Sequence, residues 1–153
     1  HLLPMTHEHY RTWEAHDRHR LIDVMTSGGV APEVAARDAQ RAQRALLPDG
    51  PSTPGMAFHR LLHHGTSVGT LWLRLDGAPR PEADAWVYAV EVGAEHRGNG
   101  HGRTLMRAAE NVCLLAGRRA LGLNVHTGNT PARALYASLG FRPAEHVLTK
   151  PLL

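Results

Sequence analysis

Between Val90 and Thr104 the chain reads Val-Glu-Val-Gly-Ala-Glu-His-Arg-Gly-Asn-Gly-His-Gly-Arg-Thr. Gly98, Gly100 and Gly102 alternate with Asn99 and His101, and Arg97 and Arg103 flank them. Glycine at alternate positions removes the side chains that would hold a ligand off the backbone, and it permits positive φ. An apolar run precedes this loop and a helical pattern follows it. The loop therefore feeds a helix start, whose unpaired N–H groups and dipole favour an anion. Two positive side chains strengthen that preference, and the chemistry suits a phosphate or pyrophosphate. A tight strand-to-helix turn alone would need one glycine. Two other phosphate-binding patterns fail. A P-loop needs Gly-x-x-x-x-Gly-Lys-[Ser/Thr], and the only lysine is Lys150. A dinucleotide fold needs a third glycine where Arg103 stands, and an acid on the next strand where Asn124 stands.

Other residue types are weighed in the same way. Glu91 is the one acid in the run Ala-Trp-Val-Tyr-Ala-Val-Glu-Val. A carboxylate inside an apolar strand needs a partner. Glu91 reads either as a proton-transfer group or as half of an ion pair with Arg or His. His126 is a second candidate base, because imidazole titrates in the useful range. The chain holds 12 histidines, with His16 and His19 three apart and His63 beside His64. None has His-Glu-x-x-His or Cys/His spacing, so no metal is expected. Glu8, Glu14, Asp17 and Asp23 read as an attraction for a cationic amine or as a solvated helix face. Cys113 reads as core.

The elements that must position these groups follow from periodicity. Leu2–Met5 is expected as a short strand. A helix starts after Thr6, an N-cap, and ends at Gly28-Gly29; a second starts near Pro32 and ends before Pro48. From Met56 the period falls to two. Strands are expected over 56–62 and 68–75, with a turn at His64-Gly65-Thr66 and Leu71, Leu73 and Leu75 on one face. Residues 85–92 read as a central strand. Leu105, Met106, Ala109, Val112, Cys113 and Ala116 form one apolar helix face closed by Gly117. A strand over 121–125, a helix from Thr130 to Leu139 closed by Gly140, and a final strand over 141–148 complete an α/β order with a mixed sheet.

Composition narrows the class. A length of 153 residues suits one domain, 1–153, and 42% apolar with 20% charged residues is globular rather than disordered. A net charge of +3, with no Lys/Arg-rich block, does not argue for nucleic acid. No run approaches a membrane span and no basic-then-apolar leader is visible. One cysteine fits a reducing cytoplasm. The preference for Arg over Lys, with abundant Ala, Gly and Pro, suggests a high-GC bacterium.

A second block, Leu123-Asn124-Val125 followed by Asn129-Thr130-Pro131-Ala132-Arg133-Ala134-Leu135-Tyr136-Ala137-Ser138-Leu139-Gly140-Phe141, lies one helix and one strand beyond the loop. Together the blocks resemble the GNAT superfamily of acyl-CoA-dependent N-acyltransferases. Arg97-Gly98-Asn99-Gly100-His101-Gly102 resembles its [Gln/Arg]-x-x-Gly-x-[Gly/Ala] loop, and the second block its Asn-x-x-Ala-x-x-Leu-Tyr-x-x-x-Gly-Phe. The likeness is clear over 84–150 and limited to element order before that. It implies a mixed, mostly antiparallel sheet with splayed parallel strands, flanked by about four helices. It implies acetyl-CoA as acyl donor and an amine-bearing acceptor, with no metal, nucleic acid or membrane, and relatives commonly pair as homodimers. By resemblance the pantetheine pairs with the backbone of Val90 to Val92. The pyrophosphate lies on Arg97, Gly98, Asn99, Gly100, His101, Gly102, Arg103 and Thr104. Asn129 contacts the cofactor, and Tyr136 stands beside the thioester sulfur as proton donor, with Glu91 as the candidate base. Relatives often carry more acids on the central strand, where Trp86 and Ala89 stand here. Relatives acting on peptide amines can carry Glu where this chain has Asn124. The alternative is a non-catalytic acyl-CoA-binding or sensing module on the same fold; Tyr136 favours an enzyme.

Overall fold

The computed structural model describes residues 1–126, 128–145 and 148–152. Elements follow in the order β1 (Leu2–Pro4), α1 (His7–Ser27), α2 (Pro32–Leu46), β2 (Met56–His63), β3 (Thr66–Arg74), β4 (Ala85–Val92), α3 (His101–Leu115), β5 (Leu121–Leu123) and α4 (Thr130–Ser138). Local chemistry sets the boundaries. The Thr6 hydroxyl accepts from the His9 N–H at 3.2 Å, and the His9 ring accepts from the Thr6 N–H at 3.4 Å, a reciprocal cap. Pro32 opens α2 at a position where a missing N–H costs nothing.

The sheet runs β1-β2-β3-β4-β5, antiparallel through β4 and parallel between β4 and β5. Alternation along β3 sends Leu71 and Leu73 to one face and Trp72 to the other. On the first face α3 lays Leu105, Met106, Ala109 and Cys113, all buried, and burial pushes the Cys113 thiol up to about 11. On the second face Tyr10 and Trp13 of α1 join Leu47, Phe58 and Trp72. The Trp13 and Trp72 rings meet edge to face at 5.3 Å, and Phe58 stacks on Trp72 at 5.6 Å. Each such pair contributes about 0.5–1.5 kcal/mol beyond area burial.

One irregularity governs the rest. Trp72 pairs with Ala89 and Leu73 with Val87, so Tyr88 is an extra residue in β4. The extra residue shifts the parity of the strand. Ala85 and Val87, then Val90 and Val92, pack with α3, whereas Tyr88 and Ala89 both join the aromatic cluster under α1. Bulges of this kind bend a strand and increase its twist. The pairing with β5 also stops there, at Val87 and Leu123. The strand expected over 121–125 therefore ends at Leu123. Upstream, the Asp84 carboxylate accepts from the Arg119 and Ala120 N–H groups at 3.1 and 3.0 Å, which ties the start of β4 to the start of β5.

The strand expected over 141–148 does not form at 141–145 or 148; His146 and Val147 lie outside the described residues. The Phe141 N–H closes α4 and Pro143 has no N–H, so the segment lacks consecutive donors for a ladder.

Gly69 sets how closely three elements approach. A Cβ at Gly69 would stand 2.7 Å from the Glu91 carbonyl oxygen and 2.7 Å from Leu105 Cδ1. A backbone carbonyl in a sheet cannot yield. Gly69→Ala is expected to destabilise the fold by about 1–3 kcal/mol, as overpacking does. Urea unfolding should show a lower midpoint at unchanged slope. An unchanged midpoint would mean that β3, β4 and α3 are not packed this closely.

Candidate active site

Past Val87 the central strand continues to Val92 without a β5 neighbour, and a cleft of about 400 Å³ opens between them. Its walls include Trp13, His16, Asp17 and Arg20 of α1, Tyr88 to Glu91 of β4, Asn124 to His126 after β5, and Arg97, Asn129 and Tyr136.

The open edge of β4 has a definite polarity. The Gly93 N–H donates to the Val68 carbonyl at 2.9 Å, so these two form a hydrogen-bonded pair. Antiparallel pairs alternate, so Glu91 bonds to Thr70 while Val90 and Val92 turn their N–H and C=O groups away from β3. Away from β3 is the edge that β5 has left. Arg97 uses it, with Nε donating to the Val92 carbonyl at 3.1 Å. Side chains of Val90 and Val92 pack into the α3 core, and Glu91 points to the α1 side.

The glycine loop adjoins this edge. Gly98 and Gly100 have φ of +78° and +80°, which explains glycine there, and a Cβ at either would meet nothing within 4 Å. Gly102 serves a different end: its Cβ position lies 3.3 Å from Leu135 and 4.0 Å from Val92, so α3 starts hard against α4 and β4. No side chain caps α3 at Gly100. Most polar side chains of the motif are engaged in building the loop. Asn99 Nδ2 donates to the His96 and Arg97 carbonyls at 3.2 and 3.3 Å. Arg103 donates to Ser138 Oγ at 2.9 Å, joining α3 to α4. Thr104 donates through N–H and hydroxyl to the Gly100 carbonyl, at 3.1 Å each. His101 turns toward the β2–β3 hairpin, its ring 4.8 Å from that of His63.

Tyr136 is held by the end of its helix. Gly140, at φ +92°, lets its N–H reach the Ala137 carbonyl and the Phe141 N–H reach the Tyr136 carbonyl, at 3.1 and 3.0 Å. The Phe141 ring then meets the Tyr136 ring at 5.7 Å. Burial raises the Tyr136 phenol above its ordinary range, so it remains a proton donor through neutral pH. At the other end of α4, Asn129 Oδ1 accepts from the Ala132 N–H at 3.3 Å. Asn129 is therefore a helix cap as well as a cleft residue.

Glu91 has the partner its position called for. His16 Nε2 lies 3.0 Å from both carboxylate oxygens. The cleft thus gathers Val90, Glu91, Arg97, Asn129 and Tyr136, while Gly98 to Thr104 sit beyond its lining. His126 and Asn124 line it as well. Asp17 is not part of a solvated face: it is buried at the cleft wall, 2.9 Å from Arg20 and 3.1 Å from Gln43 of α2. Sequence reasoning missed His16 as a cleft residue. Trp13, His16, Asp17 and Arg20 fall at i, i+3, i+4 and i+7, one helix face, but that spacing does not reveal which strand the face meets.

Comparison with known proteins identifies the company this arrangement keeps. A model of the Acetyltransferase (GNAT) family matches residues 9–141. An uncharacterized N-acetyltransferase of Bacillus subtilis, YycN, is 29% identical over 153 residues, covering 99% of this chain and 97% of its own. The crystal structure of YycN superposes with a TM-score of 0.87 at 28% identity, over 100% of this chain and 98% of that one. The aminoglycoside N-acetyltransferase AAC(6')-Iy, solved with a CoA-linked bisubstrate analogue, shares the fold at TM-score 0.65 and 16% identity, over 100% of this chain and 97% of that one.

The buried phenols carry a pH signature. Tyr136 is raised by burial, and Tyr10 by burial and then by Glu14. Each holds its proton more tightly folded than unfolded. Their contribution is intact below the unfolded value near ~10 and declines as pH rises beyond it. Stability should fall above that pH, and less steeply in Tyr136→Phe. Parallel declines in the two proteins, measured by urea unfolding, would contradict a half-buried, desolvated phenol at 136.

Proposed function

This chain belongs to the GNAT acetyltransferase family, and we propose that it moves an acetyl group from acetyl-CoA to an amine by direct attack on the thioester, in the cleft between β4 and β5. The open edge of β4 carries this reading. Backbone groups of Val90 and the Val92 N–H face a gap instead of a neighbouring strand, with the Val92 carbonyl held by Arg97, and an extended amide-bearing arm such as pantetheine completes the pairing there. The rest of the site fits the same group. The start of α3 has no side-chain cap, and open space lies where Cβ atoms of residues 98 and 100 would stand. The N–H groups of His101, Gly102 and Arg103 receive the pyrophosphate within the Arg97–Thr104 loop. The family match over 9–141 supports a single domain over 1–153.

When bound, acetyl-CoA supplies an acetyl group already activated as a thioester. The N–H groups of the β4 edge stabilise the negative charge that develops on the carbonyl oxygen. Tyr136 gives its proton to the sulfur as the C–S bond breaks, and recovers one from the newly bonded nitrogen. Before attack, an alkylammonium must lose a proton, since its pKa is near ~10.4. Glu91 stands on the α1 side of β4 as the acid of the cleft wall that supports this proton's removal, through its partner His16.

Two measurements test the reading. Acetyl-CoA is expected to raise the melting temperature, by an amount equivalent to about 2.7 kcal/mol at a hundredfold excess over its Kd. Gly100→Asn tolerates positive φ yet places a side chain before the amides. It should stay folded and bind acetyl-CoA at least about tenfold more weakly, a loss of roughly 1.4 kcal/mol. Wild-type affinity in the folded variant would remove the pyrophosphate from this loop.

Tyr136→Phe keeps the ring and its contact with Phe141. A positioned acid contributes about 10²–10⁴-fold, and a thiolate is already a fair leaving group, so kcat is expected to fall roughly 10- to 100-fold with acetyl-CoA affinity unchanged. Wild-type kcat under rate-limiting chemistry would return Tyr136 to a packing role. Binding of acetyl-CoA without thiol release on any amine would instead favour a sensing module.

A further inference from the structure

Glu91 and His16 are 75 residues apart in sequence, yet their side chains meet head-on at the cleft wall. The contact is symmetric, with His16 Nε2 at 3.0 Å from each oxygen. An ionised carboxylate only accepts hydrogen bonds. The geometry assigns the proton between the two groups to Nε2, so that the ring, whenever it is neutral, carries its lone pair on Nδ1. We propose that His16 is the proton acceptor for the amine, and that Glu91 is the positioning residue that fixes its tautomer.

Three observations support this assignment, which rests on the acetyl-transfer reading above. First, both residues are anchored through their neighbours. His16 follows Trp13 by one helical turn, and Trp13 is buried against Phe58 and Trp72. Asp17, the next residue, is tied to Gln43 of α2 at 3.1 Å. Glu91 is fixed by its pairing with Thr70. Second, the imidazole is about 59% exposed while Trp13 and Asp17 on the same helix face are buried, so it can meet a ligand in the cleft. Third, the parity shift at Tyr88 puts Glu91 on the α1 side, whereas the Val90 and Val92 side chains pack on the other. The amine thus approaches from the α1 side and the acyl donor from the strand edge.

The step balances without another reactant. His16 Nδ1 takes one proton from the ammonium and later releases it to solvent. The freed nitrogen lone pair forms the C–N bond, the C–S bond breaks, and Tyr136 supplies the sulfur's proton and regains one from the product nitrogen. One proton leaves per turnover.

The test starts with the unliganded protein. At about pH 8.5, where imidazole is neutral, ¹⁵N resonances of His16 should show the Nε2–H tautomer, and Glu91→Ala should lose that preference. A dominant Nδ1–H form in the wild type would overturn the proposal. Turnover is then followed as thiol release from acetyl-CoA, using the best substrate of a panel of alkylamines, and hydroxylamine, which is neutral at that pH. His16→Ala is expected to lower kcat with the alkylamine about 10²–10⁴-fold, with the acetyl-CoA thermal shift unchanged. Added imidazole should restore part of it, and the loss with hydroxylamine should be much smaller. The double variant His16→Ala/Glu91→Ala should be no slower than His16→Ala alone. Wild-type kcat in His16→Ala, or an equal loss with both nucleophiles and no rescue, overturns the base assignment. No thiol release by the wild type with any nucleophile, despite acetyl-CoA binding, overturns the acetyl-transfer reading itself and the assignment with it.

Discussion

A single extra residue in the central strand organises this molecule. Tyr88 has no opposite number on β3, and from that point three consequences diverge. The inward and outward faces of β4 exchange parity, so an acid at 91 emerges toward α1 while valines at 90 and 92 stay in the core. Pairing with β5 ends, which leaves backbone donors and acceptors along one edge. The ring of Tyr88 itself stacks on Trp72 at 4.7 Å, fixing the bulge to the aromatic cluster. An even, bulge-free strand would have carried Glu91 on the same face as Ala85 and Val87, in the apolar core under α3. A carboxylate there without a partner would be strongly unfavourable.

The helix facing that strand is unusual in how little apolar surface it offers. Over 21 residues α1 buries only Tyr10, Trp13 and Asp17. Its position depends on a few large rings and on one buried carboxylate. Asp17 meets Arg20 from its own helix and Gln43 from α2, while Gln43 also donates to the Glu14 carbonyl at 3.0 Å and accepts from Arg18 at 3.0 Å. Rings and polar networks demand particular geometry, whereas aliphatic stripes tolerate sliding. A helix located by such contacts can hold His16 against Glu91 with little play, and precise placement is what a proton acceptor needs.

How much of this was written in the sequence varies with the range of the interaction. Helix limits at Thr6, Pro32 and Gly140 come from caps within a few residues, and they were legible. So was the apolar face of α3, because period 3.6 is a local property. The glycine loop was legible as a strand-to-helix turn with positive φ at Gly98 and Gly100, and the second motif completed the resemblance to the family. Three things were not legible. The bulge at Tyr88 is a mismatch between two strands and leaves no mark on β4 alone. The strand expected at 141–148 fails because the Phe141 N–H is committed to closing α4, a contact the segment itself does not announce. The acids of α1 read either as an attraction for a cationic amine or as a solvated face; Asp17 is buried because Gln43, on another helix, comes to meet it. For Glu91 the sequence left two readings open, a base or an ion pair. The structure provides the ion-pair partner in His16 and places the pair on the wall of the cleft.

The loop shows the same division between scaffolding and chemistry in reverse. Asn99, Arg103 and Asn129 stand out in the motifs as polar side chains, and all three make hydrogen bonds that shape the loop or the helix starts. Arg97 does so as well, through its Nε to the Val92 carbonyl, although the residue also lines the cleft. What remains for an anion is largely backbone: consecutive N–H groups at an uncapped helix start, with glycines at 98 and 100 leaving the approach clear. Backbone amides carry no net charge and need little reorganisation, so they suit a ligand that must bind, react and leave repeatedly. Recognition built this way depends on φ and ψ rather than on side-chain identity. On the proposed reading, a motif of glycines with a few hydrogen-bonding struts is the sequence form of a binding site whose contacts are made mainly by the main chain.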